Sequence, residues 1–137
     1  MFDIAPLVDH IIGATGYATV ESNLDITTYE AVKDSPTKVY VDLAQIVSSS
    51  TEAALALDSA SELSSELTGL VDIILDADSI QYPTVWFNLY QACQHFQPTN
   101  AFDNLRTFTF VSCEFIRNNG RRISKFTYAY TFDRYLP

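Results

Sequence analysis

The side chains able to do chemistry in this sequence are few, and the densest group is acidic. Asp72, Asp76 and Asp78 fall within seven residues, and such carboxylates serve a hydrolase as an acid–base pair or hold a divalent cation through oxygen ligands. The same residues also describe a solvated strand face running into a turn, since Asp78-Ser79 is an ordinary turn signal. His10 sits beside Asp9 on what reads as a helix surface, where the two do not converge on one point. His95 falls near the end of a second helix, where it complements the C-terminal dipole. Cys93 and Cys113 have neither disulfide nor zinc spacing and are expected as reduced, half-buried hydrophobes. The glycines at 13, 16, 69 and 120 are too scattered for a phosphate-cradling loop, and Ser48-Ser49-Ser50 forms no nucleophile elbow. No catalytic residue, cofactor or metal is predicted.

The basic residues are more telling. Residues 1–100 hold fourteen acids against two bases, Lys33 and Lys38, a net charge of −12; residues 101–137 hold three acids against six bases, a net of +3. Arg117, Arg121, Arg122 and Lys125 flank one turn, and Arg134 lies at the far end of the same predicted strand. Their alternation with Phe and Tyr makes an RNA-binding sheet conceivable. The acidic body lacks the broad positive footprint that nucleic acid requires, and the aromatic row is too continuous for a stacking platform. An acidic body with a basic C-terminal hairpin suits copies that meet unlike face to unlike face. Arg117, Arg121, Arg122, Lys125 and Arg134, with Asp72, Asp76 and Asp78, are therefore the expected subunit or partner interface. Simple solvation of a hairpin tip is the alternative.

These residues must be positioned by regular elements, and the periodicity predicts six. Residues 4–13 read as a short amphipathic helix with Asp3 as N-cap, Pro6 in the first turn, an apolar stripe of Leu7, Val8, Ile11 and Ile12, and Gly13 or Gly16 as its end. Residues 17–36 are mixed, with one or two helical turns expected over 25–32 before Ser35-Pro36 closes the segment. Residues 38–46 form a strand with Val39, Val41 and Leu43 on one face. The Ser/Ala-rich stretch 47–60 reads as a loop, a protruding hairpin or a helical turn. Residues 61–76 alternate with period two, which favours a half-buried strand over a rival helix across 52–68. Tyr82-Pro83-Thr84 opens a second helix whose Val85, Leu89, Ala92, Cys93 and Phe96 face the core, and Pro98 stops it; residues 101–105 are a loop. Residues 107–116 and 122–135 are strands joined by Asn118-Asn119-Gly120-Arg121, whose Asn-Gly pair suits a tight turn with positive φ. Phe126, Tyr128, Tyr130 and Phe132 take one face of the last strand, and Ile123, Lys125, Thr127, Ala129 and Thr131 the other.

The 137 residues amount to one domain spanning 1–137, able to bury a core without metal or disulfide. No repeat and no linker divides it. The expected fold is α+β in the order α-β-β-α-β-β: a mostly antiparallel sheet of about four strands with two helices on one face. No apolar run approaches a membrane span, and Met1-Phe2-Asp3 lacks a signal peptide's basic region, which predicts an intracellular product.

The order of elements resembles that of phage tail terminators of the Gp37-like type. The matching pieces are Ser35-Pro36-Thr37-Lys38-Val39-Tyr40-Val41-Asp42-Leu43, Ser65-Glu66-Leu67-Thr68-Gly69-Leu70-Val71-Asp72-Ile73-Ile74-Leu75, Val85-Trp86-Phe87-Asn88-Leu89-Tyr90-Gln91-Ala92 and the closing Phe126-Thr127-Tyr128-Ala129-Tyr130-Thr131-Phe132-Asp133-Arg134-Tyr135-Leu136. It is a resemblance of pattern over most of the chain, with residues 17–34 and 47–60 fitting least. It implies a non-enzymatic virion protein that forms a homo-oligomeric ring, a hexamer in that family, on the last ring of the tail tube, assembled in the host cytoplasm. Such a ring ends tube polymerisation, meets the head–tail connector or stopper and, in contractile tails, the sheath. DNA passes through it without specific binding. Other connector or stopper proteins, a small non-catalytic α+β binding domain, and an enzyme using Asp72, Asp76 and Asp78 are the alternatives.

Overall fold

The computed structural model describes the backbone of residues 4–49, 64–96 and 105–135, and the side chains of 4–43, 68–96 and 107–131. Two helices and five strands follow in the order α1 (Ala5–Thr15), β1 (Ala18–Glu21), β2 (Lys38–Ser49), β3 (Ser64–Asp78), α2 (Tyr82–Gln94), β4 (Leu105–Asn118) and β5 (Arg121–Tyr135). The expected N-cap Asp3, the stop at Pro98, the loop at 101–104 and residues 50–60 of the Ser/Ala-rich stretch lie outside the described residues.

The strands form one mixed sheet in the order β1-β2-β3-β5-β4. β1 runs parallel to β2, and the other three pairings are antiparallel. The fold is thus α+β as expected, with five strands where about four were expected. β1 is the addition: it is four residues long, buries only Thr19 and so shows no alternation to read. No helix forms over 25–32 either. Asp25 instead accepts hydrogen bonds from the Thr27 amide at 2.9 Å and the Thr27 hydroxyl at 2.7 Å, closing an Asx-type turn that competes with helix. Residues 22–36 therefore run as a strap from the end of β1 toward the start of β2, the long crossover that a parallel pair requires.

One face of the sheet carries the main core. Val39 and Val41 of β2, Val71, Ile73, Leu75 and Ala77 of β3, and Phe126, Tyr128 and Tyr130 of β5 pack against Leu7 and Ile11 of α1 and Val85, Leu89 and Cys93 of α2. The aromatic row predicted on β5 faces this core, where Trp86 lies 5.1 Å from Phe126 and Phe108 stacks on Tyr128 at 4.7 Å. His10 donates from Nε2 to the Ala92 carbonyl at 2.7 Å, tying α1 to α2. α1 ends where Gly16 takes φ +76° and its amide bonds the Ile12 carbonyl at 2.8 Å, three residues beyond the first possible stop at Gly13.

The opposite face carries a smaller core under the strap. Ile26 and Ala31 of the strap cover Ile74 and Ile123, with Leu24, Tyr29, Tyr40 and Ile116 around them. β4 and β5 join through Asn119 at φ +53° and Gly120 at φ +76°, a two-residue turn of the twist-compatible kind. Arg121 consequently begins β5 and does not belong to the turn, which fixes where its side chain goes.

Candidate functional site

Strand alternation decides the fate of the predicted interface residues. Successive side chains of β5 point to opposite faces, so Arg121 and Lys125 face the strap while Arg122 faces the helices. The basic cluster read from the sequence is not one patch. Arg121 is 1% exposed and Asp76 fully buried; Arg121 Nε donates to Asp76 Oδ1 at 2.6 Å. The same guanidinium reaches the carbonyls of Lys33 and Pro36, both at 3.3 Å. Tyr29 donates its hydroxyl to the other Asp76 oxygen at 2.5 Å and lies 3.2 Å from the Tyr40 hydroxyl. Burial, then the hydrogen bond to Asp76, pushes the Tyr29 phenol well above its usual range. Arg121 and Asp76 neutralise each other inside the subunit, so neither offers charge to a partner.

The other residues divide as follows. Asp78 accepts from the Ile80 amide at 2.7 Å, the turn role its sequence context allowed. Asp72 accepts from Thr127 Oγ1 at 3.1 Å and stands directly opposite Asp42 on β2. Burial and then the Asp72 charge push the Asp42 carboxyl upward. The three predicted carboxylates thus do three separate jobs, and Asp42, the neighbour of Asp72, was hidden until the β2–β3 register placed it. Lys125 pairs with Glu114 across the β4–β5 ladder at 3.0 Å, and that bond raises its pKa. Arg117 is exposed on β4. Arg122 lays its guanidinium over the rings of Tyr82 at 5.2 Å and Phe115 at 5.6 Å, and its Nε has no hydrogen-bond partner among the described residues. The Arg134 backbone pairs with Ser65 in the β3–β5 ladder, and its side chain lies outside the described residues.

Two margins of the sheet are left open among the described strands. β4 is an outer strand of 14 residues, and no described strand pairs with its far side. Its backbone presents an open row of donors and acceptors, beside which Val111 is 53% and Phe115 51% exposed. Val111 is the extra residue of a bulge between Phe110 and Ser112, which is why an apolar side chain turns outward there. At the other margin β1 covers only residues 38–41 of β2, and the next eight, 42–49, have no second neighbour among the described residues. Val20 on β1, 52% exposed, and Ile12 on the helix that contacts β1, 43% exposed, flank that margin.

These margins hold no cluster of nucleophile and base among the described residues. Among the described residues no three His, Cys, Asp or Glu side chains gather as metal ligands, and no described helix is long and apolar enough to cross a membrane. Burial pushes the Cys93 thiol up to about 12 and raises that of Cys113. The sequence pointed to charge at the hairpin tip and missed both margins, because an open edge is a property of strand order. Its one local trace is the broken alternation Phe110-Val111-Ser112-Cys113 in β4. No model of a known protein family matches this chain, and no curated protein sequence matches it either.

Proposed function

We propose that this chain is a non-catalytic structural subunit that joins copies of itself head to tail into a closed ring, in the manner of a phage tail terminator. The observation that supports the reading is the pair of unlike open margins: β4 with Val111 and Phe115 on one side, and residues 42–49 of β2 with Val20 and Ile12 on the other. A subunit with two different sticky patches makes a heterologous contact, and such contacts close into rings when the rotation per step allows. β2 and β5 run one way while β3 and β4 run the other. The β4 of one copy therefore meets the β2 of the next as an antiparallel pair, the stronger kind. The partner is a second copy because every subunit carries both margins, and the two pair antiparallel with one another.

On this reading the ring sits at the head-proximal end of a tail tube, stops its growth and docks to the head connector, in a virion assembled in the host cytoplasm. The test is the native mass of the full chain by light scattering behind a sizing column, over a range of concentrations and at two salt levels, for the natural sequence and for Val111→Asp with Phe115→Ser. A closed oligomer of defined number that falls to a folded monomer in the double variant supports the reading. A monomer at high concentration and low salt, or an oligomer indifferent to the double variant, overturns it and leaves a small α+β binding domain.

A further inference from the structure

The strap over the second face of the sheet is held in an uneven way. Only Ile26 and Ala31 of its residues 22–36 are buried apolar side chains. It contains no helix or strand, and most of its residues are exposed. Against this slight apolar hold stands a set of polar contacts that all reach it from the β4–β5 turn and the adjoining strands. Asn118 Nδ2 donates to the Tyr29 carbonyl at 2.6 Å, and Asn119 Nδ2 to the Ala31 carbonyl at 3.1 Å. Arg121 donates to the carbonyls of Lys33 and Pro36. Tyr29 returns its hydroxyl to Asp76, the partner of Arg121. Four strap carbonyls are thus gripped by Asn118, Asn119 and Arg121 of one hairpin, and among the described residues Tyr29 is the strap side chain that reaches back into that grip.

A segment with little buried apolar area and many exposed backbone groups is drawn from the low-stability end of a structure and opens before the core does. We propose that residues 22–36 act as a latched strap that lifts as a unit while the four long strands β2, β3, β5 and β4 stay folded. Its latch is the contact of Tyr29 with the Asp76–Arg121 pair, assisted by Asn118 and Asn119. Lifting has a defined consequence, because the strap begins directly after β1 and Ser22 itself bonds the Val41 carbonyl at 3.0 Å. When the strap leaves, the four-residue β1 loses the anchor at its C-terminal end, and residues 38–41 of β2 are uncovered. The edge of β2 then lengthens from eight residues to twelve, closer to the fourteen of β4. This last step rests on the edge-to-edge reading given above, in which the strap keeps the isolated subunit from pairing over its full edge; the opening itself does not depend on it.

The experiment places a thiol under the strap and uses Cys93 as an internal clock for unfolding of the main core. Ala31 is buried against the second face, and Ala31→Cys in the full chain adds one sulfur there. Alkylation by iodoacetamide, followed by peptide mass spectrometry, reads position 31 and Cys93 in the same molecules. The expected result is a thiol at position 31 that reacts at least about a hundred times faster than Cys93, and far more slowly than in the urea-unfolded chain. Adding Tyr29→Phe, which removes a hydrogen bond to a charged group without changing shape, should quicken position 31 by roughly tenfold or more. Equal rates at position 31 and Cys93 would mean that the strap leaves only with the core, and the proposal fails. A position 31 as reactive as in the unfolded chain means no latch, and a rate unmoved by Tyr29→Phe means the latch is elsewhere; either also overturns it. A monomeric protein would sink the ring and leave these rates to be read unchanged.

Discussion

Removing the charge of Asp76 should be the most damaging single change of shape-preserving kind in this protein. Asp76→Asn keeps the outline of the side chain and leaves the buried Arg121 guanidinium without its paired carboxylate. Its remaining hydrogen-bond partners are carbonyl oxygens, those of Lys33 and Pro36 at 3.3 Å and of Asp76 itself at 3.4 Å. Breaking a buried pair by deleting one partner costs about 3–5 kcal/mol; the three carbonyls soften this, while Tyr29 loses the charged acceptor of its hydroxyl. An expected loss of about 3–4 kcal/mol follows, a large part of the roughly 5–15 kcal/mol that holds a domain folded. At about 4 °C per kcal/mol for a chain of this size, Tm should fall by some 12–16 °C. Urea denaturation of Asp76→Asn, Arg121→Met and the double variant measures the effect and its coupling. The double variant should lose far less than the two single losses added together, because the charge stranded by either change is absent. A loss below about 1 kcal/mol for Asp76→Asn, or simple additivity, would show the pair to be solvated and refute the reasoning.

Two further outcomes concern stability alone. Asp42→Asn removes one of two like charges set directly opposite on β2 and β3, and should stabilise the protein by about 0.2–1 kcal/mol, toward the lower end because the site is partly exposed. The folded state raises the Asp42 pKa, so the charge at this position costs stability as pH rises through the carboxylate range; the gain, followed by urea midpoints, should be present at pH 7 and vanish below its unfolded value near 3.8. Gly13 and Gly16 should respond with opposite signs to alanine. Gly13 lies inside α1 with open space where a Cβ would stand, so Gly13→Ala should add about 0.5–1 kcal/mol, whereas Gly16 at φ +76° should lose about 1 kcal/mol, both read by thermal unfolding.

Most of the fold was legible because long, one-sided elements advertise their period. The row from Phe126 to Tyr130, the alternation through Val71 to Leu75, and the Val85–Leu89–Cys93 stripe all point where they do in the structure. The Asn119-Gly120 turn is where positive φ is needed. β1 was illegible because four residues with one buried side chain carry no period. The strap misled because Asp25, Thr27 and Thr28 resemble a helix start, and only the side-chain bonds of Asp25 show that a turn wins. The predicted interface residues do not gather into one patch, for a different reason. Closeness in sequence around a hairpin is not closeness in space, since neighbours on a strand face opposite ways. The pairing of Arg121 with Asp76 joins positions 45 residues apart, and the local sequence around Arg121 gave no hint of it.

The bulge at Val111 has a consequence for how this chain tolerates change over generations. Phe110 pairs with Tyr128 and Ser112 with Thr127, consecutive positions on β5, so residue 111 holds no place in the ladder. Deleting one residue from an ordinary strand reverses every side chain beyond it. Deleting this one leaves Phe108, Phe110, Cys113 and Phe115 on the faces they already occupy. β4 is therefore a strand that can shorten by a codon at one point without scrambling its core. The shortened strand would lie straighter, and a straight edge is a better template for any passing strand. The extra residue thus fixes the curvature of the margin while leaving the core indifferent to its loss.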